Sequence, residues 1–316
     1  MKNPLKTLEA NTLGRDFVIG DLHGSYSVFE NLLKGINFDP TKDRIISVGD
    51  MVDRGPDSLK CLELIREPWF HPVLANHEKM MIDKFSGGWS GAYWYQNGGQ
   101  WGAEAHNYFK AMKDPESQMI PTDEAMQLID LIPLVEELPF LITVNTKSGK
   151  KFHVLHAELP SGVGKITDME LTVPEEVNML ATIEIVDGEA FLWYRNIYYN
   201  FYTSDLSNRD KIVRTVSYIG ATKIFNDELS HVISGHTILQ KPMTIVGQTN
   251  IDTGAYHSYP SKNSYSDSTI PARSWGRLTC IELDTWKFYQ ATSDTFNEVE
   301  PFVVSQDDLD NLKPEY

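Results

Sequence analysis

The sequence predicts an α/β fold in which short buried strands alternate with amphipathic helices. Three runs rich in β-branched and apolar residues, at 16–20, 44–49 and 71–75, are each followed by a helical pattern, which gives the order βαβαβα. A short polar motif stands at the carboxyl end of each run. Because α/β sheets bind ligands at the carboxyl ends of their strands, these motifs mark the expected functional edge.

The helices of this first half are predicted from the spacing of their apolar residues. Ser27 and Glu30 have the spacing of a capping box, which favours a helix start at Ser27. The residues behind it repeat at helical spacing: Val28, Phe29, Leu32, Leu33 and Ile36. The same periodicity predicts helices at 57–66 and 78–85.

Residues 86–121 interrupt this rhythm with alternating glycine and aromatic residues. Three of the seven tryptophans lie here, which indicates an ordered insertion instead of a flexible linker. One interpretation is an aromatic lid that covers the core, which is the commoner role of such rings. The other is a groove wall for the group attached to a phosphate.

The second half is expected to be mainly strand. A helix at 122–137 should kink or end near Pro133. Strands are predicted at 140–144, 151–156, 231–234, 243–249 and 278–289. An acidic stretch at 158–190 is interpreted only as a second insertion, and the acidic segment 305–316 as a loosely attached tail.

The charge balance restricts the possible partners. With 44 acidic and 28 basic residues the formal charge is −16, which argues against a broad nucleic-acid or membrane-binding surface. Cys61 and Cys280 are expected to be buried, reduced thiols. Since the first residues lack an apolar signal-like region, a cytoplasmic location is expected.

The three polar motifs carry the chemistry. They read Gly20-Asp21-Leu22-His23-Gly24, Gly49-Asp50-Met51-Val52-Asp53-Arg54-Gly55 and Asn76-His77-Glu78. Carboxylate, imidazole and carboxamide groups on neighbouring loops suit divalent metals, and a guanidinium beside them fits phosphate oxygens. The motifs therefore predict a two-metal centre that handles phosphate.

Two later histidines extend this candidate centre. His156 and His236 each stand at the end of a predicted strand. Either one alone could instead cap a loop carbonyl. Together with the three upstream motifs, they favour metal ligation.

As an ordered set, these residues resemble the phosphoprotein phosphatase family of metallophosphoesterases. The similarity extends to the branch of the bacteriophage lambda protein phosphatase and its bacterial relatives, through segments at 61–65, 68–70, 80–83 and 251–255. The resemblance implies a two-sheet β-sandwich flanked by helices, with a dinuclear metal site at the strand carboxyl ends. It also implies one domain over 1–316, with insertions at about 86–121 and 158–190 and the acidic tail.

The resemblance further implies two bound divalent ions. Mn²⁺ is expected, with Fe or Zn²⁺ as alternatives. Asp50 would bridge the ions. The first ion would be held by Asp21, His23 and Asp50, and the second by Asp50, Asn76, His156 and His236.

Catalytic roles follow from the same resemblance. Arg54 and Arg195 would grip the phosphate, although Arg195 could instead be a surface residue paired with an acid. His77 would protonate the leaving oxygen, with Asp53 orienting its ring. Ala75 stands where the family has glycine; its methyl group is tolerated at negative φ and would crowd the site at positive φ.

The expected reaction is hydrolysis of phosphoserine and phosphothreonine in proteins, with phosphotyrosine a further possibility, by direct attack of a metal-bridging hydroxide. The partners would be a phosphorylated protein or peptide and the product inorganic phosphate. A dinucleoside tetraphosphate hydrolase and a phosphodiesterase acting on 2′,3′-cyclic nucleotides or RNA ends are the alternatives. Asp53 and Glu78 favour the phosphatase, since the tetraphosphatase branch usually carries Ala and Asp at these places. An inactive metal-binding module is a further alternative.

Overall fold

The computed structural model contains two β-sheets packed face to face, and it describes residues 3–160, 165–182, 189–202, 206–219, 227–258 and 276–312. The strands are β1 (Leu5–Leu8), β2 (Asp16–Ile19), β3 (Arg44–Ser47), β4 (Phe70–Pro72), β5 (Leu141–Asn145), β6 (Lys151–Leu155), β7 (His231–Ser234), β8 (Met243–Ile245), β9 (Gln248–Asn250), β10 (Leu278–Glu282), β11 (Lys287–Ala291), β12 (Phe296–Val299) and β13 (Phe302–Val304). The helices are α1 (Tyr26–Gly35), α2 (Ser58–Glu63), α3 (Asn76–Ser86), α4 (Ala103–Ala111), α5 (Asp123–Glu136), α6 (Pro174–Ala181), α7 (Ala190–Trp193), α8 (Arg209–Ile219) and α9 (Gln306–Asp310).

Parallel strands in both sheets end at one edge of the sandwich. One sheet has the order β1-β5-β6-β7-β9-β8-β13 and the other β12-β11-β10-β2-β3-β4. Strands β2, β3 and β4 are parallel neighbours, as are β6, β7 and β9. The predicted βαβαβα order and the two-sheet β-sandwich flanked by helices are therefore confirmed.

Alternation along the strands explains the layering. Val18 and Ile46 are buried between the sheets together with Val154 of the facing sheet. Phe17, the neighbour of Val18, belongs instead to the core under the helices, as does Phe29 of α1. Because successive side chains of a strand point to opposite faces, this sheet is buried on both of its faces.

The start of α1 differs from the prediction. The carbonyl of Ser25 accepts the first helical hydrogen bond, from the backbone N–H of Phe29 at 3.1 Å. Ser27 therefore lies inside the first turn, and the capping box predicted for Ser27 and Glu30 is wrong.

Two predicted long strands are hairpins. The run 243–249 divides into β8 and β9 around Val246, which has φ of 51°, and 278–289 divides into β10 and β11 before Lys287. Left-handed backbone conformation at such a position turns the chain back on itself. The helix α5 does not end at Pro133 but continues to Glu136. Strands β1, β12 and β13 were not predicted.

The insertion and the tail are both structured where they are described. Residues 89–102 form three short 3₁₀ segments before α4. The tail begins with α9, whose Ser305 and Asp308 form a capping box, and Asp308 also accepts two hydrogen bonds from Arg209 at 2.8 and 2.7 Å. Residues 161–164 and 183–188 of the second insertion, and 313–316 of the tail, lie outside the described residues. The domain limits remain a prediction.

Both cysteines are buried, free thiols, as predicted, and burial raises their pKa above the usual value. Among the helices in the described ranges, none is long and apolar enough to cross a bilayer.

Candidate metal centre

The predicted ligands converge at the shared edge of the two sheets. The segments that follow β2, β3 and β4 contribute four of them, with Asn76 as the first residue of α3, and the loops after β6 and β7 contribute the other two from the facing sheet. All six are at most 5% exposed: Asp21, His23, Asp50, Asn76, His156 and His236. The parallel ladders of the two sheets thus bring together residues more than 200 positions apart in the chain.

One cluster forms around the Nε2 atom of His156. Burial lowers the pKa of His156, so its ring is neutral and carries one proton. That proton lies on Nδ1, which donates to the Val48 carbonyl at 2.8 Å. The bare Nε2 lies 2.8 Å from Asn76 Oδ1, 3.1 Å from His236 Nδ1 and 3.6 Å from Asp50 Oδ1. Lone pairs that converge in this way suit a divalent cation.

A second cluster forms around His23. Its Nδ1 donates to the Val52 carbonyl at 2.8 Å, and burial lowers the pKa of its ring to about 4, so Nε2 is again a bare lone pair. This Nε2 lies 3.3 Å from Asp50 Oδ2. Asp50 therefore faces both clusters, one through each carboxylate oxygen, as a bridging ligand would.

The grouping differs in one respect from the predicted ligand set. Among the described residues, the ligand atoms of His23, Asp50 and His77 lie within 4.8 Å of one another, as do those of Asp50, His156 and His236. The carboxylate of Asp21 is adjacent, with each oxygen 3.2 Å from the backbone nitrogen of His236. Its role as a ligand of the first ion stays a prediction.

Charge is concentrated in this buried centre. Burial, with Asp252 and Asp50 nearby, raises the pKa of Asp21 well above its usual value. Burial alone would also raise the pKa of Asp50, but the surrounding histidines hold it well below the usual value. Bound divalent cations would neutralise such a set of carboxylates, so the donor chemistry fits the family's metals.

His77 and Asp53 form the predicted pair beside the clusters. His77 Nδ1 and Asp53 Oδ2 are 2.6 Å apart, and both residues are buried. Arg54 Nη2 lies 3.0 Å from His77 Nε2, and its Nη1 lies 2.6 Å from His23 Nε2. The Arg54 side chain is exposed, and its guanidinium carbon Cζ lies over the Tyr256 ring, 5.0 Å from the ring centre. The guanidinium is thus held at the mouth of the centre, where a substrate phosphate would arrive.

Arg195 reaches the same centre from the segment after α7. Its Nη2 donates to the carbonyl of His236 at 3.1 Å. Arg195 is an exposed residue, and this contact joins it to the backbone of a predicted metal ligand. Its role in gripping phosphate stays a prediction.

Backbone strain is concentrated at these loops. Among the described residues, nine non-glycine positions have positive φ, and five of them belong to the centre: His23, Asp50, Asp53, Arg54 and His236. Such conformations persist where the surrounding structure enforces them, which is typical of functional sites. Ala75, by contrast, has φ of −121°, so its methyl group is tolerated. At Gly235 a Cβ would lie 2.0 Å from Asp21 Oδ1, so only glycine fits there.

Two buried glutamates hold the loops in place, and motif reasoning assigned neither of them this task. Glu78 accepts backbone hydrogen bonds from Asp50, Met51 and Val52 at 3.0, 2.8 and 3.2 Å. Glu158 accepts backbone hydrogen bonds in the same way from the three residues that follow Arg195. Their only signal in the sequence is position, since Glu78 directly follows His77 and Glu158 lies two residues after His156.

The aromatic insertion also reaches the centre. Trp94, in the core as the lid interpretation predicted, and Trp101 both direct their indole N–H groups to Asp53. Trp89 and Tyr93 are about half exposed, and the half-buried Trp193 lies edge-on to His236, with ring centres 6.3 Å apart. The spacing of these residues along the chain does not distinguish Trp94 and Trp101 from the exposed Trp89 and Tyr93.

Known proteins similar to this chain agree with the geometry. Residues 17–239 match the family described as calcineurin-like phosphoesterase. Serine/threonine-protein phosphatase 2 of Escherichia coli (strain K12) is 36% identical over 162 residues, and the protein of the same name from Salmonella typhimurium is 32% identical over 171. These alignments span 50% and 53% of this chain, and 66% and 71% of those proteins.

A protein with a different name is similar to this chain over a shorter stretch. The symmetrical bis(5′-nucleosyl)-tetraphosphatase of Photorhabdus laumondii is 42% identical over 73 residues, which are 22% of this chain and 26% of that protein.

Proposed function

The chain belongs to the calcineurin-like phosphoesterase family, within its phosphoprotein phosphatases, and from this premise we propose that it hydrolyses phosphoserine and phosphothreonine monoesters in proteins. Phosphotyrosine is proposed as a further substrate. The inferred product is inorganic phosphate. That the chain is a metal-dependent phosphoesterase follows from its family and from the converging donor groups.

The observation that carries the proposal is the hydrogen bond of 2.6 Å between His77 and Asp53. Serine and threonine leave as alkoxides, which are poor leaving groups and need a proton in the transition state. An imidazole whose Nδ1–H is held by a carboxylate presents Nε2 toward the site. Arg54 beside this Nε2 would bring the phosphate within its reach.

The protonation of this pair depends on what binds beside it. Burial lowers the pKa of His77 to about 3 and raises that of Asp53 to about 7. A dianionic phosphate held by Arg54 raises the pKa of the neighbouring imidazole. Substrate binding would therefore let His77 carry the proton that the alkoxide receives.

The residues of the two clusters are proposed to hold two divalent ions, with Mn²⁺ expected and Fe or Zn²⁺ as alternatives. When bound, such ions polarise the phosphate and lower the pKa of water so that it can attack phosphorus. Around them, Arg54 and Arg195 would orient the phosphate oxygens. A cytoplasmic location is proposed with this function, and neither a membrane nor a nucleic acid is proposed as partner.

A dinucleoside tetraphosphate hydrolase is the second candidate. It is supported by the similarity to the Photorhabdus laumondii protein and by the exposed rings of Trp89 and Tyr93, which could stack a base. A phosphoanhydride has a better leaving group than an alkyl ester, so it depends less on a general acid. The buried His77–Asp53 pair therefore favours the monoester.

The test is a substrate panel with metal-reconstituted protein. A phosphoserine peptide, a phosphotyrosine peptide, a 2′,3′-cyclic nucleotide and diadenosine tetraphosphate are compared by kcat/KM. The phosphoserine peptide should rank first, and Asp53→Asn should lower its turnover by about 10- to 100-fold without loss of metal. A higher kcat/KM for diadenosine tetraphosphate would overturn the proposal. No turnover of any substrate would favour a binding module.

A further inference from the structure

Three N–H groups converge on the carboxylate of Asp53. Trp94 Nε1 lies 3.1 Å from both oxygens, and Trp101 Nε1 lies 2.7 Å from Oδ1. His77 Nδ1 lies 2.6 Å from Oδ2. The backbone N–H of Asp53 donates to Ser58 Oγ at 2.9 Å, so the residue is held at both ends.

An indole N–H can only donate a hydrogen bond. Two such donors occupy acceptor positions of the Asp53 carboxyl group, Trp101 at Oδ1 and Trp94 between both oxygens. Arg54, which also can only donate, lies 3.0 Å from His77 Nε2, so the neutral His77 ring carries its proton on Nδ1 and donates to Asp53 Oδ2. Burial favours the neutral carboxylic acid at Asp53, and the hydrogen bond from Trp101 opposes it.

The insertion that supplies the indoles is itself held firmly. Trp94 is fully buried and packs against Phe85, with ring centres 6.1 Å apart, and against Trp101 at 6.0 Å. Gly98 has φ of 108°, and a Cβ there would lie 2.7 Å from the backbone nitrogen of Arg54. The turn between the tryptophans thus rests directly on the loop that carries Asp53 and Arg54.

Trp101 also separates Asp53 from a neighbouring cavity. The cavity has a volume of about 420 Å³ and is lined by Trp101 together with Pro56, Ser58 and Ala105 among others. Trp101 and Ser58 both line this space and both contact Asp53. Without the indole, water from the cavity could reach the carboxylate and compete with His77 for it.

We propose that Trp94 and Trp101 are positioning residues that hold the Asp53 carboxylate in the orientation His77 needs to protonate the leaving group. The aromatic insertion is then a working part of the acid pair and not only a cover for the core. The inference rests on the proposed role of His77, and its test has one measurement that does not depend on activity.

The first measurement is the dependence of rate on leaving group. Wild type, Trp94→Phe, Trp101→Phe and the double variant are assayed with aryl phosphates of graded leaving-group pKa and with a phosphoserine peptide. Each phenylalanine keeps an aromatic ring but removes the indole N–H together with part of the bicyclic ring, so the control variant must carry the same loss of volume. For poor leaving groups kcat should fall about 10- to 100-fold, with KM and metal content unchanged, and for the most activated esters less than about threefold.

The matched control is Trp286→Phe. Trp286 stacks on Phe152, with ring centres 5.3 Å apart, at the amino end of β6 and thus away from the metal centre. This variant loses an indole N–H of the same kind but has no contact with Asp53, so its leaving-group dependence should equal that of wild type.

The second measurement is NMR of ¹⁵N-histidine in the metal-free protein. The Nδ1–H proton of His77 in its short hydrogen bond should give a downfield signal, assigned by its absence in His77→Asn. Trp101→Phe and Trp94→Phe should shift or broaden this signal, whereas Trp286→Phe should not. If Trp94→Phe does not fold, Trp101→Phe at the cavity wall decides.

The outcomes distinguish a failure of the positioning role from a failure of the proposed function. An unchanged His77 signal, or equal rate losses across all leaving groups, would overturn the positioning role. Wild-type protein that hydrolyses no monoester would instead overturn the proposed function, and the NMR measurement would still decide whether the indoles hold the pair.

Discussion

Replacing Glu158 by glutamine removes the charge that three backbone N–H groups of the Arg195 segment share. Glu158 is fully buried, three residues beyond the end of β6 and two residues after His156. Its Oε2 accepts from Asn196 and Ile197 at 3.2 and 2.6 Å, and its Oε1 from Tyr198 at 2.8 Å. The glutamate therefore anchors the three residues that directly follow Arg195.

The cost can be worked from these contacts. A glutamine oxygen can replace Oε2, but its NH₂ group then faces the N–H of Tyr198, and two donors cannot pair. One buried N–H is left without an acceptor, which costs about 2 kcal/mol of the free energy of unfolding. If the segment moves by about 1 Å, Arg195 is misplaced and kcat/KM falls roughly 10- to 100-fold.

The matched variant is Glu78→Gln. Glu78 accepts three backbone N–H groups in the same way, but from the loop of Asp50, which faces both clusters. Glu158→Gln should therefore weaken inhibition by inorganic phosphate and keep two metal ions per chain, whereas Glu78→Gln should lose metal. Burial raises the pKa of Glu158 to about 7, so the assays belong at pH 8 or above, where its carboxylate is charged.

The measurements are denaturant unfolding, elemental analysis and phosphate inhibition on all three proteins. If Glu158→Gln lost its metal while phosphate affinity was retained, Glu158 would serve the histidine beside it and not Arg195. If both variants changed metal content and phosphate inhibition in the same way, the separate roles of the two glutamates would be refuted.

Further outcomes are expected at other positions. His77→Asn should slow turnover of an alkyl phosphate by roughly 10²- to 10⁴-fold in steady-state assays, and less for an activated aryl ester; equal losses would remove His77 from the role of general acid. Asp50→Asn should lose bound metal, and two ions per chain by elemental analysis would refute its bridging role. Away from the site, burial would raise the pKa of Asp43, but hydrogen bonds from Arg15 outweigh it and hold the pKa below 3.8. The stability that this pair contributes is thus present above pH 3.8 and is lost as the pH falls further. In Asp43→Asn the denaturant midpoint of unfolding should therefore fall less steeply below pH 3.8 than in wild type. An unchanged slope of midpoint against pH would contradict this.

Much of the fold was predictable because its signals are local. The strands before Asp21, Asp50 and Asn76 are buried on both faces, so they appear in the sequence as continuous apolar runs. The hairpin between β8 and β9 was missed because Val246, a β-branched residue that favours strands, takes the left-handed turn position, and the single Gly247 beside it is a weaker signal than an Asn-Gly pair. Likewise, α1 begins directly after Ser25, whose side chain makes no capping hydrogen bond, and the prediction relied instead on the spacing of Ser27 and Glu30.

The sequence by itself determined the kinds of candidate ligand and their order along the chain, because divalent metals favour carboxylate, imidazole and carboxamide groups. The family resemblance led to the prediction that His77 and Asp53 form a pair, and the structure places His77 Nδ1 2.6 Å from Asp53 Oδ2. Only the tertiary structure decided what surrounds them. That Trp94 and Trp101 donate to Asp53, and that Glu158 holds the segment after Arg195, depends on contacts between segments 38 to 48 residues apart. Such contacts arise from packing in three dimensions, and the spacing of residues along the chain does not encode them.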